Sequence, residues 1–432
     1  MRLIIEGQAP LHGDYHPSGN SNAAIATLAA SLLTDAPVTL RRVPNAQNVA
    51  NVLEIAKQLG AVVIEIEPGT LQIQTSHVVS RVLDLTTTRR APASMLFLAP
   101  MIARRRHVRI EWAESLSRIR THMAALRDLG QEIEIDGTAV NITAVEWESK
   151  SILLTEMSVT ATALACMLAA ALGKQTTIYN AASEPHLRAL QHQLVQMGAK
   201  IEGIGSNLLT IYGIGANFKG TTIDLPSDHI EIASIAAIAA MTEGHVTIHD
   251  VHLPDLQMIL KGYERLGLNF YLEAPKNGNG KHGSLLHIPE QQNMRVARLA
   301  DETDVLIDTA PWPGFPSDLV AMAAVLATQT RGTTLIHEKL YDNRLLFTDK
   351  LKGMGAQILL CDPHRAIVIG KSQLRGEYVD SPDVRTGLGL FAATLCAEGK
   401  STIDNAGLMN YVFENVVQKL IALGAQIQVA DL

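Results

Sequence analysis

The 432-residue sequence has only three cysteines, and no two of them form a Cys-X-X-Cys pair. Cys166 and Cys396 lie in alanine- and leucine-rich segments, and Cys361 lies in a short apolar segment. Zinc sites and disulfide frameworks depend on suitably spaced cysteines. The sequence therefore predicts neither of them, and it predicts no other cofactor.

Histidine gives no stronger indication of a metal. The segment HVTIHDVH contains His245, His249 and His252. Strand geometry would place two of the three imidazoles on one face, which is one requirement for a metal site. We interpret them instead as separate surface histidines, so the predicted metal ligands are none.

Long apolar runs and an excess of basic charge are also absent. No stretch reaches the roughly 20 apolar residues that a membrane span needs, and the start MRLIIEGQAP lacks the apolar core of a signal peptide. The net charge is −7, whereas general nucleic-acid binders are usually basic. The sequence predicts a soluble cytoplasmic protein that binds neither membranes nor nucleic acids.

Basic residues are nevertheless concentrated in one part of the chain. Two interpretations stay open: a solvated face, or a surface for an anionic ligand. The residues are Arg81, Arg89, Arg90, Arg104, Arg105, Arg106, Arg109, Arg118, Arg120 and Arg127.

The sequence is built from repeats. A Leu or Met followed by Gly begins a strand, a turn and a second strand, and the pattern returns at intervals of roughly 70 residues, with one longer step. The longer step carries the polar, glycine-rich segment 276–283, which we interpret as a flexible loop. The copies begin at Leu59, Leu129, Met197, Leu266, Met354 and Leu423.

A second pattern has the same period, because an alanine-rich helix runs into a strand six times, as in ALGKQTTIYNAAS and MTEGHVTIHDVHL. Segments such as NAAIATLAASLL are apolar nearly all round, which indicates buried helices. The segments before each Leu-Gly or Met-Gly are amphipathic, and the Gly suits the position after a helix end. The predicted order in each copy is strand, buried helix, strand, outer helix, strand, strand.

From SGNSNAAIATLAASLL (Ser18 to Leu33) onward, the chain resembles the UDP-N-acetylglucosamine enolpyruvyl transferases, or 1-carboxyvinyltransferases, as a divergent member. The resemblance covers essentially the whole chain, including SVTATALACMLAA, DHIEIASIAAIAA, APWPGFPSDL, YDNRLLF and DVRTGLGL. It implies a two-domain inside-out α/β barrel made of six βαβαββ repeats. It also implies a discontinuous first lobe of residues 1–16 and 226–432, and a second lobe of residues 17–225.

The resemblance implies a reaction as well. Members of this family transfer a carboxyvinyl group from phosphoenolpyruvate to a hydroxyl group of a nucleotide sugar. Such chemistry needs cations for the phosphate and carboxylate, a base near the hydroxyl and an acid for the methylene. We expect small anionic substrates, namely phosphoenolpyruvate and a UDP-sugar or related acceptor. A catalytically inactive homologue with a binding or regulatory role is the alternative.

Several family positions are retained in the lobe that includes 226–432. Asp318 matches the aspartate that contacts the reacting hydroxyl, although on its own it would also suit a helix N-cap. Asp383 and Arg385 match an aspartate and an arginine near the site, and Arg344 matches an inner-face arginine. For these three the alternative is an ion pair that holds the start of a helix. We predict Asp318, Asp383 and Arg385 as catalytic and Arg344 as substrate-binding.

The other retained positions lie in 17–225. Asn22 matches an asparagine that touches the sugar. Ser158 and Thr160 fall where the family holds the nucleotide phosphates at a helix N-terminus. We predict all three as substrate-binding. Asp228 and Glu231 match interlobe hinge positions, which favours a structural role.

The departures concern the donor site. Ser21 occupies the position of a family lysine, and Tyr411 that of an arginine. A third basic position falls on Pro92, with Arg89 nearby. We count Ser21 and Arg89 among the substrate-binding positions, and we expect the donor site to be remodelled.

The segment Glu111 to Thr121 corresponds to a mobile family loop, but it is shorter and has no cysteine to act as the acid. Arg118 or Arg120 is predicted to replace the loop arginine and to bind substrate. Glu111 or Glu114 is a weaker candidate for the acid.

Overall fold

The computed structural model describes residues 1–112, 114–274, 283–297, 305–381 and 383–430. Most of the predicted loop 276–283 lies outside these residues. The chain forms two compact units. Unit 1 comprises Met1–Ser18 and Ser227–Leu432, and unit 2 comprises Gly19–Pro226.

The strands, in chain order, are β1 Arg2–Glu6, β2 His12–Tyr15, β3 Val38–Arg41, β4 Val62–Glu67, β5 Thr70–Gln74, β6 Val82–Leu83, β7 His107–Glu111, β8 Glu132–Asp136, β9 Ala139–Thr143, β10 Trp147–Leu153, β11 Gly173–Tyr179, β12 Lys200–Glu202, β13 Leu208–Tyr212, β14 Thr221–Asp224, β15 His245–Val251, β16 Tyr271–Glu273, β17 Ser284–Ile288, β18 Val305–Asp308, β19 Gly332–His337, β20 Gln357–Asp362, β21 Arg365–Gly370, β22 Tyr378–Asp380, β23 Lys400–Asp404 and β24 Gln426–Ala430.

The α-helices are α1 Ser21–Ser31, α2 Gln47–Gln58, α3 Leu85–Arg90, α4 Leu98–Arg105, α5 Arg120–Asp128, α6 Val159–Leu172, α7 Pro185–Gln196, α8 His229–Met241, α9 Gln257–Arg265, α10 Val320–Gln329, α11 Thr348–Gly353, α12 Val384–Cys396 and α13 Val416–Ala422. Short 3-10 helices span Pro92–Phe97, Leu116–Ile119, Leu253–Asp255, Ser317–Leu319 and Ala406–Tyr411. None of these described helices combines the length and apolarity needed to cross a lipid bilayer.

The strands of each unit form three four-stranded sheets within the described residues. In unit 2 the orders are β14-β3-β5-β4, β6-β7-β9-β8 and β10-β11-β13-β12. The first pair in each sheet is parallel, and the remaining pairs are antiparallel. A parallel pair needs a crossover connection, and the last two strands form a hairpin, so each sheet has the pattern expected of one βαβαββ repeat.

Unit 1 repeats this arrangement with the orders β16-β17-β15-β2, β18-β19-β21-β20 and β22-β23-β1-β24. Its parallel pairs are β2 with β15, β18 with β19 and β22 with β23. Strand β1 completes the third sheet by pairing antiparallel with both β23 and β24. The N-terminal strand therefore belongs to the sheet of the last repeat.

The alanine-rich helices form the core, as their uniform apolarity predicts. Every residue of α1 except Asn22 is buried, and so is every residue of α6 from Ala161 to Leu172. Helices α8, α10 and α12 are similarly buried in unit 1. Helix α2 instead buries one side only. The predicted alternation of buried and outer helices is confirmed.

The glycine that follows each outer helix has a left-handed backbone. Gly60, for example, follows Leu59 at the end of α2 and has φ of 101°. A residue without Cβ adopts this conformation at little cost, so the chain leaves the helix and enters the hairpin. The equivalent residues, all with positive φ, are Gly130, Gly198, Gly267, Gly355 and Gly424.

Candidate active site residues

Asp318 lies in the 3-10 turn that leads into α10 in unit 1. The residue before α10 is Leu319, and no side chain caps the helix, so the N-cap interpretation of Asp318 is wrong. Its carboxylate Oδ1 lies 2.5 Å from Nε of Arg385 and 3.4 Å from Nη1 of Arg344. The other oxygen, Oδ2, makes no hydrogen bond within the described part of the chain.

The two arginines decide the charge of Asp318. Burial alone would raise its pKa, but the charges of Arg385 and Arg344 and their hydrogen bonds outweigh burial and lower the pKa below its ordinary value. The side chain stays 28% exposed. Asp318 is therefore an ionised carboxylate with one accessible oxygen, as a general base requires.

Arg344 is held by three groups. Its Nη1 donates to Ser317 Oγ at 2.8 Å as well as to Asp318. Its guanidinium carbon lies 4.1 Å from the centre of the Tyr341 ring, which is a cation–π distance. Arg344 is only 18% exposed, so it is fixed at the edge of the site.

Sequence reasoning missed Glu338, which follows β19 directly. It is fully buried, and its Oε2 accepts a 2.5 Å hydrogen bond from Ser317 Oγ. In the sequence, Glu338 is recognisable only as an acidic residue at the end of the apolar strand segment GTTLIHE. A carboxylate at the end of a buried strand indicates strong partners, because carboxylates are rarely buried without them. Ser317 could have been considered as well, because it directly precedes Asp318 in the sequence.

Asp383 and Arg385 turn out to have separate partners. Asp383 is the N-cap of α12, and its Oδ1 accepts from the backbone N–H groups of Arg385 and Thr386. Its Oδ2 accepts from the Thr386 hydroxyl. The Arg385 side chain pairs with Asp318, directly before α10, and Arg344 pairs with the same carboxylate. An ion pair at a helix start therefore stays an alternative for the two arginines. Asp383 has both oxygens engaged in its own helix, and its catalytic role stays a prediction.

In unit 2, Ser158 and Thr160 lie at the helix N-terminus where the sequence places them. Ser158 caps α6 by accepting from the backbone N–H of Ala161 at 3.3 Å. Thr160 Oγ1 lies 2.8 Å from Nε2 of His122, a residue that sequence reasoning missed. Burial lowers the pKa of His122 to about 4, so its imidazole is neutral at pH 7. Phosphate binding at this helix start stays a prediction.

The predicted arginines of unit 2 bind separate carboxylates. Arg120 pairs with Glu156, which also accepts from Thr121 Oγ1 at 3.0 Å. The hydrogen bond from Arg120 is the main cause that lowers the pKa of Glu156. Arg118 pairs with Glu114 at 3.3 Å, and both are largely exposed.

Arg89 lies in the exposed last turn of α3. Glu111, the other candidate acid, pairs with Arg109 at 3.5 Å. Glu111 and Glu114 are thus each held by an arginine of their own segment. Pro92 begins a 3-10 helix, and Tyr411 ends another.

Ser21 is almost completely buried as the first residue of α1. Its Oγ accepts a 3.2 Å hydrogen bond from Nδ2 of Asn48. Ser21 and Asn48 thus form a neutral pair, and the replacement of a family lysine by Ser21 stays a prediction. Asn22, the next residue, is only partly buried.

A buried carboxylate joins the first and last parts of unit 1. Glu231 accepts from Tyr15 OH at 2.6 Å, from the backbone N–H of Ser18 at 3.2 Å and from Lys419 Nζ at 2.8 Å. The neighbouring Asp228 caps α8, and burial, followed by the charge of Glu231, raises its pKa to about 7. Both residues therefore have structural partners within unit 1.

The histidines of HVTIHDVH have different partners. His249 pairs with Asp14 at 2.8 Å and stacks on His16, while His252 pairs with Asp255. Among the described residues, no group of three or more potential ligands has the geometry to hold a metal ion.

Unit 1 also contains a polar cavity of about 680 Å³ where α8, α10 and α12 end. Asp318 lies before the first residue of α10, so this cavity is at the opposite end of that helix. It contains none of the predicted site residues, and its lining includes Met241, Gln329, Arg331, Lys371 and Cys396.

The chain is similar to known carboxyvinyltransferases over nearly its whole length. Residues 5–420 match the family model described as EPSP synthase (3-phosphoshikimate 1-carboxyvinyltransferase). The UDP-N-acetylglucosamine 1-carboxyvinyltransferase of Treponema denticola is 38% identical, covering 99% of each chain. The protein of the same name from Bradyrhizobium diazoefficiens is also 38% identical, covering 99% of this chain and 98% of its own.

Solved structures agree on the fold. The enolpyruvyl transferase NikO from Streptomyces tendae matches 99% of this chain and 98% of its own, with a TM-score of 0.86 at 20% identity. An EPSP synthase from Acinetobacter baumannii matches all of both chains, with a TM-score of 0.77 at 17% identity. These findings confirm the resemblance and the fold predicted from the sequence, and none of them supports the catalytically inactive alternative.

Proposed function

Because the chain belongs to the enolpyruvyl transferase family, we propose that it transfers the carboxyvinyl group of phosphoenolpyruvate to a hydroxyl of UDP-N-acetylglucosamine or a related acceptor. The observation that carries this proposal is the cluster of Asp318, Arg385 and Arg344. It combines an ionised carboxylate that has an accessible oxygen with two fixed guanidinium groups.

Each group has a role in this reaction. Oδ2 of Asp318 takes the proton of the acceptor hydroxyl as its oxygen bonds to the central carbon of the enolpyruvyl group. The methylene gains a proton and becomes a methyl group. When the methyl group then loses a proton, the vinyl double bond forms again and inorganic phosphate leaves. Arg344 and Arg385 keep Asp318 ionised and offer positive charge to the donor.

The remaining predicted residues serve binding. Ser158 and Thr160 hold the acceptor phosphates at the start of α6, where backbone N–H groups and the helix dipole favour anions. Asn22 binds the sugar. Arg89, Arg118 and Arg120 supply positive charge in unit 2, and Ser21 takes the place of the family lysine without its charge.

The test is phosphate release from phosphoenolpyruvate in the presence of UDP-N-acetylglucosamine, with detection of the carboxyvinyl sugar by mass spectrometry. An established transferase serves as the positive control. Acceptor-dependent release together with the product supports the proposal. A folded protein that releases no phosphate with this acceptor or with related nucleotide sugars contradicts it.

A further inference from the structure

We infer that Glu338 is a positioning residue of the site, which fixes Arg344 beside Asp318 through the Ser317 hydroxyl and through the backbone turn that carries Tyr341. Glu338 does not touch Asp318 or Arg344 itself. Its effect on the site is indirect, so the relevant contacts are those that link it to Arg344.

The first link runs through Ser317. A hydroxyl group has one proton, and that of Ser317 is donated to Oε2 of Glu338 at 2.5 Å. The oxygen of Ser317 is then free to accept from Nη1 of Arg344 at 2.8 Å. Ser317 is 6% exposed, so water has little access to replace either bond. Glu338 thus orients the acceptor that Arg344 binds.

The second link runs through the chain after β19. Oε1 of Glu338 accepts from the backbone N–H groups of Leu340 and Tyr341 at 2.8 and 3.2 Å. It also accepts from Thr309 Oγ1 at 2.9 Å. These bonds fix the turn from which the Tyr341 ring contacts Arg344. Two contacts of Arg344, with Ser317 and with the Tyr341 ring, therefore depend on one buried carboxylate.

Glutamine at position 338 cannot reproduce this arrangement. All the groups around Glu338 that form these bonds are donors, and an amide supplies an acceptor on one side only. The amide nitrogen would face either the Ser317 hydroxyl or the backbone turn. Glu338→Gln should therefore break one link and, without the carboxylate charge, weaken the other, whereas Ser317→Ala removes only the first.

The first readout is independent of activity. The ¹⁵Nε–¹Hε signal of Arg344, assigned by its loss in Arg344→Lys, reports the mobility of the guanidinium group. We expect its order parameter to fall in Ser317→Ala, to fall further in Glu338→Gln, and to fall no further in the double variant. Asp404→Asn is the control, because Asp404 also bonds two side chains of unit 1, Arg2 and Tyr378, and these bonds do not involve the turn after β19.

The second readout is turnover, which rests on the proposed function. Loss of a charge-assisted bond corresponds to roughly a 10-fold to 100-fold effect. We expect kcat/KM to fall about 10-fold in Ser317→Ala and about 100-fold in Glu338→Gln, with Ser317→Thr recovering most of the loss. The double variant should resemble Glu338→Gln, since both changes act along one path.

The outcomes separate the two ideas. If Arg344 stays as rigid in Ser317→Ala and in folded Glu338→Gln as in Asp404→Asn, the inference is wrong whatever the activity. If Arg344 loosens while even the wild type fails to turn over, the inference stands and the proposed function fails. Should Glu338→Gln not fold, Ser317→Ala and Ser317→Thr still decide the first link.

Discussion

The buried helices of the two units begin with different kinds of side chain. In unit 1, Asp228 caps α8, Asp383 caps α12, and Asp318 lies directly before α10. In unit 2, Asn20 caps α1 and Ser158 caps α6, while α4 has no side-chain cap. The same backbone repeat thus presents carboxylates in one unit and neutral groups in the other.

This difference changes what each set of helix starts can bind. A helix N-terminus carries partial positive charge, which a carboxylate on the same helix offsets. The neutral caps of unit 2 leave that charge available to an anionic ligand, in keeping with the phosphate role predicted for Ser158 and Thr160. In unit 1, Asp228 and Asp383 offset that charge by accepting from backbone N–H groups of their own helices, and Asp318 pairs with Arg385 and Arg344.

The largest expected effect is a loss of turnover when Asp318 of unit 1 is replaced. Asp318→Asn should lower kcat by roughly 1,000-fold, because an amide cannot take up the hydroxyl proton. Steady-state phosphate release measures it. Asp383→Asn tests the other predicted catalytic aspartate. Asparagine is as good a helix cap as aspartate, so the variant keeps the cap of α12, and a similar loss of turnover would support a catalytic role for Asp383. Unchanged turnover in Asp318→Asn would remove the basis of the proposed function.

The next effect concerns stability and contrasts a charged with a neutral buried pair. Lys419→Met leaves Glu231 buried without its cation, which should lower the free energy of unfolding by about 3 kcal/mol. In unit 2, Ser21→Ala removes only the acceptor for Asn48 and should cost about 1 kcal/mol. Urea denaturation monitored by circular dichroism measures both. Equal losses would show that charge does not distinguish the two units.

A smaller pair of effects depends on pH and has opposite signs in the two units. His122 has a pKa of about 4, below the ordinary 6.5, so between these values the unfolded chain binds more protons than the folded one. Stability contributed by neutral His122 is therefore lost as the pH falls from 7 to 5, by about 2 kcal/mol. His122→Gln should remove this loss, whereas the same change at exposed His77 should not.

Asp228 of unit 1 should give the opposite pH dependence of stability. Its pKa of about 7 exceeds the ordinary 3.8, so the folded chain binds the extra proton between these values. The stability contribution of protonated Asp228 is present at pH 5 and falls by about 2 kcal/mol as the pH rises to 7. Asp228→Asn, which retains the capping oxygen, should abolish that fall in melting experiments at the two pH values. A variant with the wild-type pH dependence would contradict the assignment.

Local patterns were sufficient for the repeat. The Leu-Gly and Met-Gly positions coincide with helix ends at which the glycine has a positive φ, as at Gly60 and Gly130. The uniform apolarity of NAAIATLAASLL predicts the burial of α1, and the start of α6 lies at Ser158 as expected. These features depend on neighbours within a few residues, which is why periodicity reveals them.

Contacts between residues that are distant in sequence could not be predicted from local patterns. The match to PWPGFPSDL identified Asp318, but its pairing with Arg385 rather than with the α10 backbone depends on how two repeats pack. Glu338 and Lys419 were missed because each is an ordinary charged residue in sequence and gains its role from partners far along the chain. His122 was missed for the same reason, since only burial lowers its pKa.

The amino-acid pattern was sufficient to predict the six βαβαββ repeats, the buried helices and the family. Which polar side chains meet became clear only from the packed chain: Asp318 with two arginines, Ser317 with Glu338, and Ser21 with Asn48. The physical reason is that the two kinds of feature depend on residues at different distances along the chain. Periodicity and helix ends are set by neighbouring residues, whereas ion pairs and pKa values depend on distances of a few ångströms that only the packed chain defines.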